Sequence, residues 1–460
     1  MLEWFQAVRQ IASVEAQCEQ FMQAILGAVS MTRYTSDGAE HEFVAGGGLL
    51  SRRLVLKSTL FGTGAVAAGL TSSTRAAAEA TIPDWVTISG ERARGYGVPA
   101  EAEAEVQRAI IEPWQDVAAA FSLSGTPHHR LRGTITPSGL HFEVHHGGRP
   151  DVDPSSHRLM VHGLVDRPLK FDLDALERYP MVTATHFLEC AGNSLFNAIM
   201  PEPMQAGCDM LHGLLSNSEW TGVPLSALMD EAGVKPEGTW VVAVGSDGPA
   251  LARSIPIEKI MEDGIVALYQ NGERIRPEQG YPMRLLLPGF EGNMNVKWLT
   301  SLWVTDAPAY TKHESGEYTE ILADGSSVKF TFAIGVKSFI THPSSTMTMN
   351  GPGFYEISGL AWSGVGKVER VEVSADGGQS WAEAALEGPV QPRALTRFRL
   401  PWRWDGAPLV LMSRATDETG AVQPTRTDWK ARYDPSNFLH YNAIQPWQIT
   451  AEGAVQNVYI

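Results

Sequence analysis

The chain has 460 residues, enough for two or three domains at about 150 residues each, and 43 % hydrophobic against 19 % charged residues is a globular composition. A formal net charge of −16 argues against nucleic acid and favours a basic partner or a small molecule. The three cysteines, Cys18, Cys190 and Cys208, form no CxxC and no CxxCH, which excludes covalent c-type haem attachment and zinc-knuckle spacing in this chain. A single Cys190–Cys208 disulfide is arithmetically open.

The first recognisable segment is "SRRLVLKSTLFGTGAVAAGL", beginning at Ser51. Arg52 and Arg53 precede a mildly apolar stretch, Leu60 to Leu70, and then the small-residue run "TRAAAEA". The order resembles a twin-arginine export signal, so residues 1–80 are read as a leader and the chain as exported to the periplasm. The apolar stretch is too short and Gly-rich for a membrane span. Met31 would give a leader of ordinary length, so residues 1–30 are read as lying upstream of the true start.

Residues 81–125 form an N-terminal extension in which "RGYGVPAEAEAEVQRAI" predicts a turn, Pro99, and then an amphipathic helix. From 126 to 330 helices and strands alternate. "DLDALERYP" starts a helix at Asp172, and "LSALMDEAGVKP" is a helix stopped by Gly233 and Pro236. "TWVVAVGSDGPA" is a buried strand entering a turn, and "YPMRLLLPGF" a further strand. The expected class is mixed α+β. Between 335 and 455 the helices vanish. "FYEISGLAWSG", "KVERVEVSADGGQSWAEAAL", "TRFRLPWRW" and "LVLMSRATDETG" are short strands joined by Gly and Asp turns, an antiparallel β-sandwich.

Several residues could carry chemistry. Cys190, in "HFLECAGNSLF", is a core thiol, a nucleophile or a metal ligand. With no second cysteine nearby, a metal there would draw most of its ligands from outside the chain. His141, His145 and His146 lack the spacing of a zinc motif, and adjacent histidines point to opposite faces of a strand. Arg284 and Lys297 flank an apolar strand and the Gly-Asn loop "GNMNVKW", where backbone amides could meet an anion. In "PRALTRFRLPWRW", Arg397 and Arg399 share one face and suit a surface ladder, an anion pocket or a subunit contact.

Taken in order, "HFLECAGNS", "EWTGVPLSALMDEAG", "GSDGPALARSIPIEKIMEDGIVALYQNGERIRPEQGYPMRLLLPG", "GNMNVKWL" and "ISGLAWSGVGKVERVEVSADGGQSW" resemble the sulfite oxidase family of molybdopterin enzymes over roughly residues 126–450. Within it, "LHFEVHHGGRP" and "HRLMVHGLVDRPL" look most like the molybdenum subunits of sulfane dehydrogenases. The resemblance implies a molybdopterin-binding catalytic domain over 126–330 and an immunoglobulin-like sandwich serving dimerisation over 335–455. It makes Cys190 the protein thiolate on molybdenum, beside the dithiolene of the molybdenum–molybdopterin cofactor. Phe142, His145, His146, Asp247, Gln279, Arg284, Asn295, Val296 and Lys297 match cofactor contacts, Gln279 standing where sulfite oxidases have a histidine. Tyr318 matches the active-site tyrosine and Arg399 an arginine of the substrate pocket.

Val144 and Leu195 stand where sulfite oxidases carry pocket arginines. Without those two guanidinium groups, bidentate recognition of a small oxyanion is lost. The expected reaction is therefore oxidation of sulfur presented on a carrier protein. No haem motif is present, so electrons would leave to a separate cytochrome c subunit. A dehydrogenase of free sulfite, a reductase of S- or N-oxides, and an exported metal-free binding module are the alternatives.

Overall fold

The run Trp240–Gly245 is a strand whose Val241, Val242 and Ala243 are all buried, because it lies inside a sheet covered on both faces. That sheet has five strands in the order Ala252–Pro256, Trp240–Gly245, Leu299–Thr305, Leu159–Gly163 and Leu169–Phe171. Leu299–Thr305 and Leu159–Gly163 run parallel, and the other neighbours antiparallel. The computed structural model describes residues 43–50, 89–111 and 121–460. The expected twin-arginine pair and its apolar stretch lie outside the described residues.

A second sheet orders Glu273–Arg274, Ile265–Gln270, Leu215–Pro224 and Val182–Glu189, with Arg284–Leu286 also paired to Ile265–Gln270. Helix Leu225–Ala232 buries Leu225, Leu228, Met229 and Ala232, the i, i+3, i+4, i+7 stripe of an amphipathic helix, in a core shared with strands of both sheets. Gly233 ends it at φ +70°, and its N–H meets the Met229 and Asp230 carbonyls. Asp172 caps helix Leu173–Leu176 by accepting the Ala175 N–H, as its sequence predicts. A smaller sheet pairs Ala109–Ile111, Ser122–Gly125 and Glu143–His145.

The C-terminal strands build two sheets. One orders Gly353–Trp362 between Thr396–Trp404 and Lys337–His342. The other orders Ala382–Glu383, Val368–Ser374, Leu409–Asp417, Trp447–Ile449 and Val455–Asn457. Trp362, Trp402, Phe339 and Phe398 from the first and Val371, Ala415 and Trp447 from the second share one core, the interior of a sandwich. Asp376-Gly377 falls in the expected turn, with Gly377 at φ +68°. Phe43–Ala45 and Leu49–Leu50, inside the expected leader, add a hairpin to the edge of the first sandwich sheet. Among the described residues no helix is long and apolar enough to cross a membrane.

Two expectations are corrected. After Pro99 there is only a 3-10 turn, Glu101–Glu103, and Ala109–Ile111 is a strand. Glu101, Glu103 and Glu105 leave that stretch without an apolar face to bury, and packing rather than propensity decides short helices. The C-terminal region does hold a helix, Arg426–Arg432, where Thr425 accepts the Asp428 N–H and Lys430 and Arg432 occupy the last turn. Cys190 and Cys208 are both free, the latter buried with its thiol toward the Ile340 carbonyl.

Candidate active site

Strand Val182–Glu189 pairs along its whole length with Leu215–Pro224 and delivers Cys190 at its end. The Cys190 N–H donates to the Leu214 carbonyl at 2.9 Å, and the chain then turns back, Asn193 N–H to the Cys190 carbonyl at 2.9 Å. Gly292 packs against this turn. A Cβ there would lie 3.0 Å from the Glu189 carbonyl oxygen and 3.3 Å from the Cys190 Cα, so a side chain would press the 292–297 loop and the Cys190 turn apart by a few tenths of an ångström. Burial pushes the Cys190 thiol up to about 12, so the free side chain is a neutral thiol and a bound cation must displace its proton.

Cys190 opens into a small cavity of about 60 Å³. Phe142, His145, His146, Asp247, Gln279, Arg284, Asn295, Lys297 and Tyr318 all line it, together with Val144. Residues up to 176 positions apart in the chain thus converge on one hollow. His141, Asn293, Leu188, Leu251 and Trp298 line it as well and were not singled out as contacts by sequence. Asn293 had a readable signal, lying inside the "GNMN" run.

The floor is cationic and underpaired. Arg284 is buried, and its Nη1 and Nη2 donate only to neutral oxygens, Gln279 O at 3.1 Å and Asn295 O at 2.9 Å, while Nε has no partner. Burial lowers its pKa to about 9. Lys297 Nζ donates to the Val144 and Glu278 carbonyls, each at 3.1 Å, and to His145 Nδ1 at 2.9 Å. Burial, and then the nearby Arg284 charge, hold its pKa well below the usual lysine value. His145 Nε2 donates to Glu143 at 2.8 Å, and burial followed by Lys297 brings the ring to about 3, so it is neutral. Both amide atoms of Asn293 and Nε2 of His141 are buried without a partner. Each such group costs about 1–3 kcal/mol. Two cations without carboxylate partners and three sets of orphaned polar atoms fit an anionic, hydrogen-bonding ligand such as a phosphorylated pterin. Among the described residues no group of three or more His, Cys, Asp or Glu could hold a metal by itself. A metal at Cys190 therefore needs ligands carried by a cofactor.

Tyr318 follows a single π-turn, His313–Glu317, an irregularity that often marks functional positions. Its hydroxyl lies within hydrogen-bond distance of His146 Nε2, at 3.0 Å. Arg253, fully buried, lies 4.9 Å from the centre of the Tyr318 ring. Arg253 Nη2 donates to Glu291 Oε1 at 3.1 Å, and Glu291 Oε2 meets His440 Nε2 at 3.1 Å. Burial, the adjacent Cys190 and Glu291 raise the Tyr318 pKa well above that of free tyrosine, so the phenol stays protonated. Sequence reasoning passed over Arg253 because nothing local places it under a tyrosine 65 positions away.

Some expected residues lie elsewhere. Val296 points into the core of the α+β region. Leu195 is buried in helix Leu195–Ile199 and does not line the cavity. Arg399 sits on strand Thr396–Trp404, paired with Glu356 and Glu387, and does not line the cavity. Its neighbour Arg397 is buried, donating to the Gly133 and Leu131 carbonyls, so the two form no surface ladder.

A domain pair of this shape, with a thiol above an anion-binding floor, is that of a molybdopterin oxidoreductase. The model of the oxidoreductase molybdopterin binding domain matches residues 146–313, and that of the Mo-co oxidoreductase dimerisation domain matches residues 328–446. The chain belongs to the sulfite oxidase family of molybdopterin enzymes, and its cofactor is the molybdenum–molybdopterin group. It is similar to the sulfane dehydrogenase SoxCD of Paracoccus pantotrophus, with 44 % identity, a TM-score of 0.80, and coverage of 82 % of this chain and 97 % of that one. Mitochondrial sulfite oxidase of Mus musculus is 30 % identical over 352 residues, covering 71 % of this chain and 64 % of the relative. NADH nitrate reductase of Solanum lycopersicum is 33 % identical over 351 residues, covering 67 % of this chain and 38 % of the relative. The chain thus spans less than two thirds of these two relatives.

Proposed function

We propose that this enzyme oxidises sulfane sulfur held on a carrier protein and passes the electrons to a cytochrome c subunit. The observation that carries the substrate reading is Val144. It lines the cavity with Leu188 and Leu251, while the two lining guanidinium and ammonium groups, Arg284 and Lys297, already serve the floor. Apolar side chains in the lining, with no lining guanidinium beyond Arg284 among the described residues, suit a thiol-borne chain better than a free oxyanion. The likeness to a sulfane dehydrogenase supports the same choice.

Bound molybdopterin supplies a two-electron redox centre and the sulfur ligands that accompany Cys190. Arg284, Lys297, Asn293 and His141 would hold its polar end, satisfying atoms that otherwise lack partners. Gly292 keeps the loop against the Cys190 backbone. Tyr318 presents a protonated hydroxyl, its orientation fixed by His146 on one side and Arg253 beneath the ring. That hydroxyl is the donor available to a developing negative charge in the pocket.

The partner and location readings rest on other features. An overall charge of −16 favours a basic electron-accepting subunit. The dimerisation-domain match supports a homodimer through the sandwich. Arg52 and Arg53 support twin-arginine export to the periplasm. Steady-state assays of the cofactor-loaded protein separate the substrates. Turnover of a persulfide-bearing carrier protein should exceed turnover of free sulfite, and rapid sulfite oxidation without a carrier overturns the proposal in favour of a sulfite dehydrogenase.

A further inference from the structure

The segment Phe43–Leu50, just before the twin-arginine pair, is seated in the sandwich domain some 350 residues further along the chain. Leu49 pairs with Trp402 on the edge of strand Thr396–Trp404, and the Arg403 N–H donates to the Gly48 carbonyl at 2.9 Å. Trp402 Nε1 donates to the Gly47 carbonyl at 2.7 Å, and the Gly46 N–H donates to Ser380 Oγ at 2.8 Å. Leu49 is 0 % exposed and belongs to the sandwich core, and Leu50 is 1 % exposed, while Phe43 and Val44 face outward.

The three glycines are what make this fit. Gly48 has φ +86°, and a Cβ there would stand 2.0 Å from the Arg403 carbonyl oxygen. Gly47 has φ +68°, and its Cβ would stand 2.4 Å from the Ala375 carbonyl oxygen. A Cβ on Gly46 would stand 2.3 Å from Asp376 Oδ2. Backbone this close to backbone at Gly47 and Gly48, followed by two buried leucines, is a strand-addition site with its own selectivity: small residues first, then a pair of apolar anchors.

We propose that this edge of the sandwich is a docking site for an extended Gly-Gly-Leu-Leu strand, and that its resident ligand is the chain's own Phe43–Leu50. The twin-arginine pair begins two residues after Leu50, a reach of about 7 Å of extended chain, so docking ties the leader to a folded second domain. Only a completed sandwich offers the slot. Resting on the export reading, the inference adds that removal of the leader takes the strand away and opens an unpaired, apolar edge, the kind of edge that accepts a strand from another chain.

The docking is tested on the full chain. A Leu50→Cys thiol should react with a soluble alkylating reagent at least tenfold more slowly than the same thiol in a Gly48→Val background, read by mass spectrometry of the peptide that carries it. A synthetic EFVAGGGLLS peptide should bind the full-length Gly48→Val protein saturably, and the same peptide with Gly48→Val should not. Equal labelling in the two backgrounds, or no peptide binding, overturns the docking site. N-terminal sequencing of the exported protein reads the second half separately: retention of residues 43–50 overturns the opened edge and leaves the docking result standing.

Discussion

Lys337 Nζ, on the sandwich strand Lys337–His342, lies 3.1 Å from Glu189 Oε1, one residue before Cys190. Both side chains are almost wholly buried, and Trp362 Nε1 donates to the other Glu189 oxygen at 2.6 Å. The second domain therefore grips the end of the strand that carries Cys190. Burial lowers the Lys337 pKa and the Glu189 carboxylate opposes that shift. Lys337→Met should cost about 3–5 kcal/mol, because it leaves a buried carboxylate unpaired. Adding Glu189→Gln should recover more than half of the loss. Denaturant midpoints of the single and double variants check both statements.

Cys190→Ser should retain the far-ultraviolet spectrum of the parent and lose activity by more than roughly 100-fold, given that even outer-shell changes cost 10–100-fold at metal sites. Molybdenum analysis of the purified variant reads the ligand role directly. Full activity with full metal content would contradict it.

Arg284→Met should lower the amount of pterin retained on purification, since it removes a charge-assisted donor of about 1.5–3 kcal/mol from the floor. In cofactor-free protein the same change should be close to neutral, because the Arg284 guanidinium there is a buried cation with only neutral acceptors. Thermal melts with and without cofactor show the difference: cofactor should stabilise the parent by more than it stabilises the variant.

Tyr318→Phe keeps the ring over Arg253 and removes the hydroxyl that meets His146. If that donor serves a developing charge, kcat should fall by about 100-fold or more, with cofactor content unchanged. Stopped-flow reduction by substrate, alongside metal analysis, distinguishes this from loss of cofactor.

His128 supplies a pH test. It is buried with Nε2 donating to the Leu215 carbonyl, and burial drops its pKa from 6.5 to about 3. A depressed histidine is neutral in the folded chain and takes up a proton in the unfolded chain below pH 6.5. Its contribution is therefore complete above that pH and is lost as pH falls toward 3, by about 1.4 kcal/mol per unit. His141 shifts in the same direction to about 3 and adds to the slope. His128→Gln keeps an N–H donor without the titration, so its stability should decline less steeply between pH 6.5 and 5 in denaturant titrations.

Local sequence decided much of this molecule. The Asp172 cap, the stripe of helix Leu225–Ala232 with its Gly233 stop, and the buried run Trp240–Gly245 are written in spacings of a few residues and formed as read. The ordered motifs around Cys190 carried the family, and most of the residues they marked meet in one cavity. Local signals failed where packing had the last word. The Glu-rich stretch after Pro99 had no apolar face to bury, and Thr425 capped a helix in a region that otherwise reads as strands.

What the tertiary structure alone decided are contacts between residues far apart in the chain. Lys337 reaches Glu189 across 148 positions, Arg253 lies under Tyr318, and Gly292 backs onto Cys190. Arg399 was placed by motif in the pocket and by folding between Glu356 and Glu387, outside it. Spacing along a strand fixes which face a side chain takes. Which other element covers that face depends on how the sheets pack, and that information is spread over the whole chain.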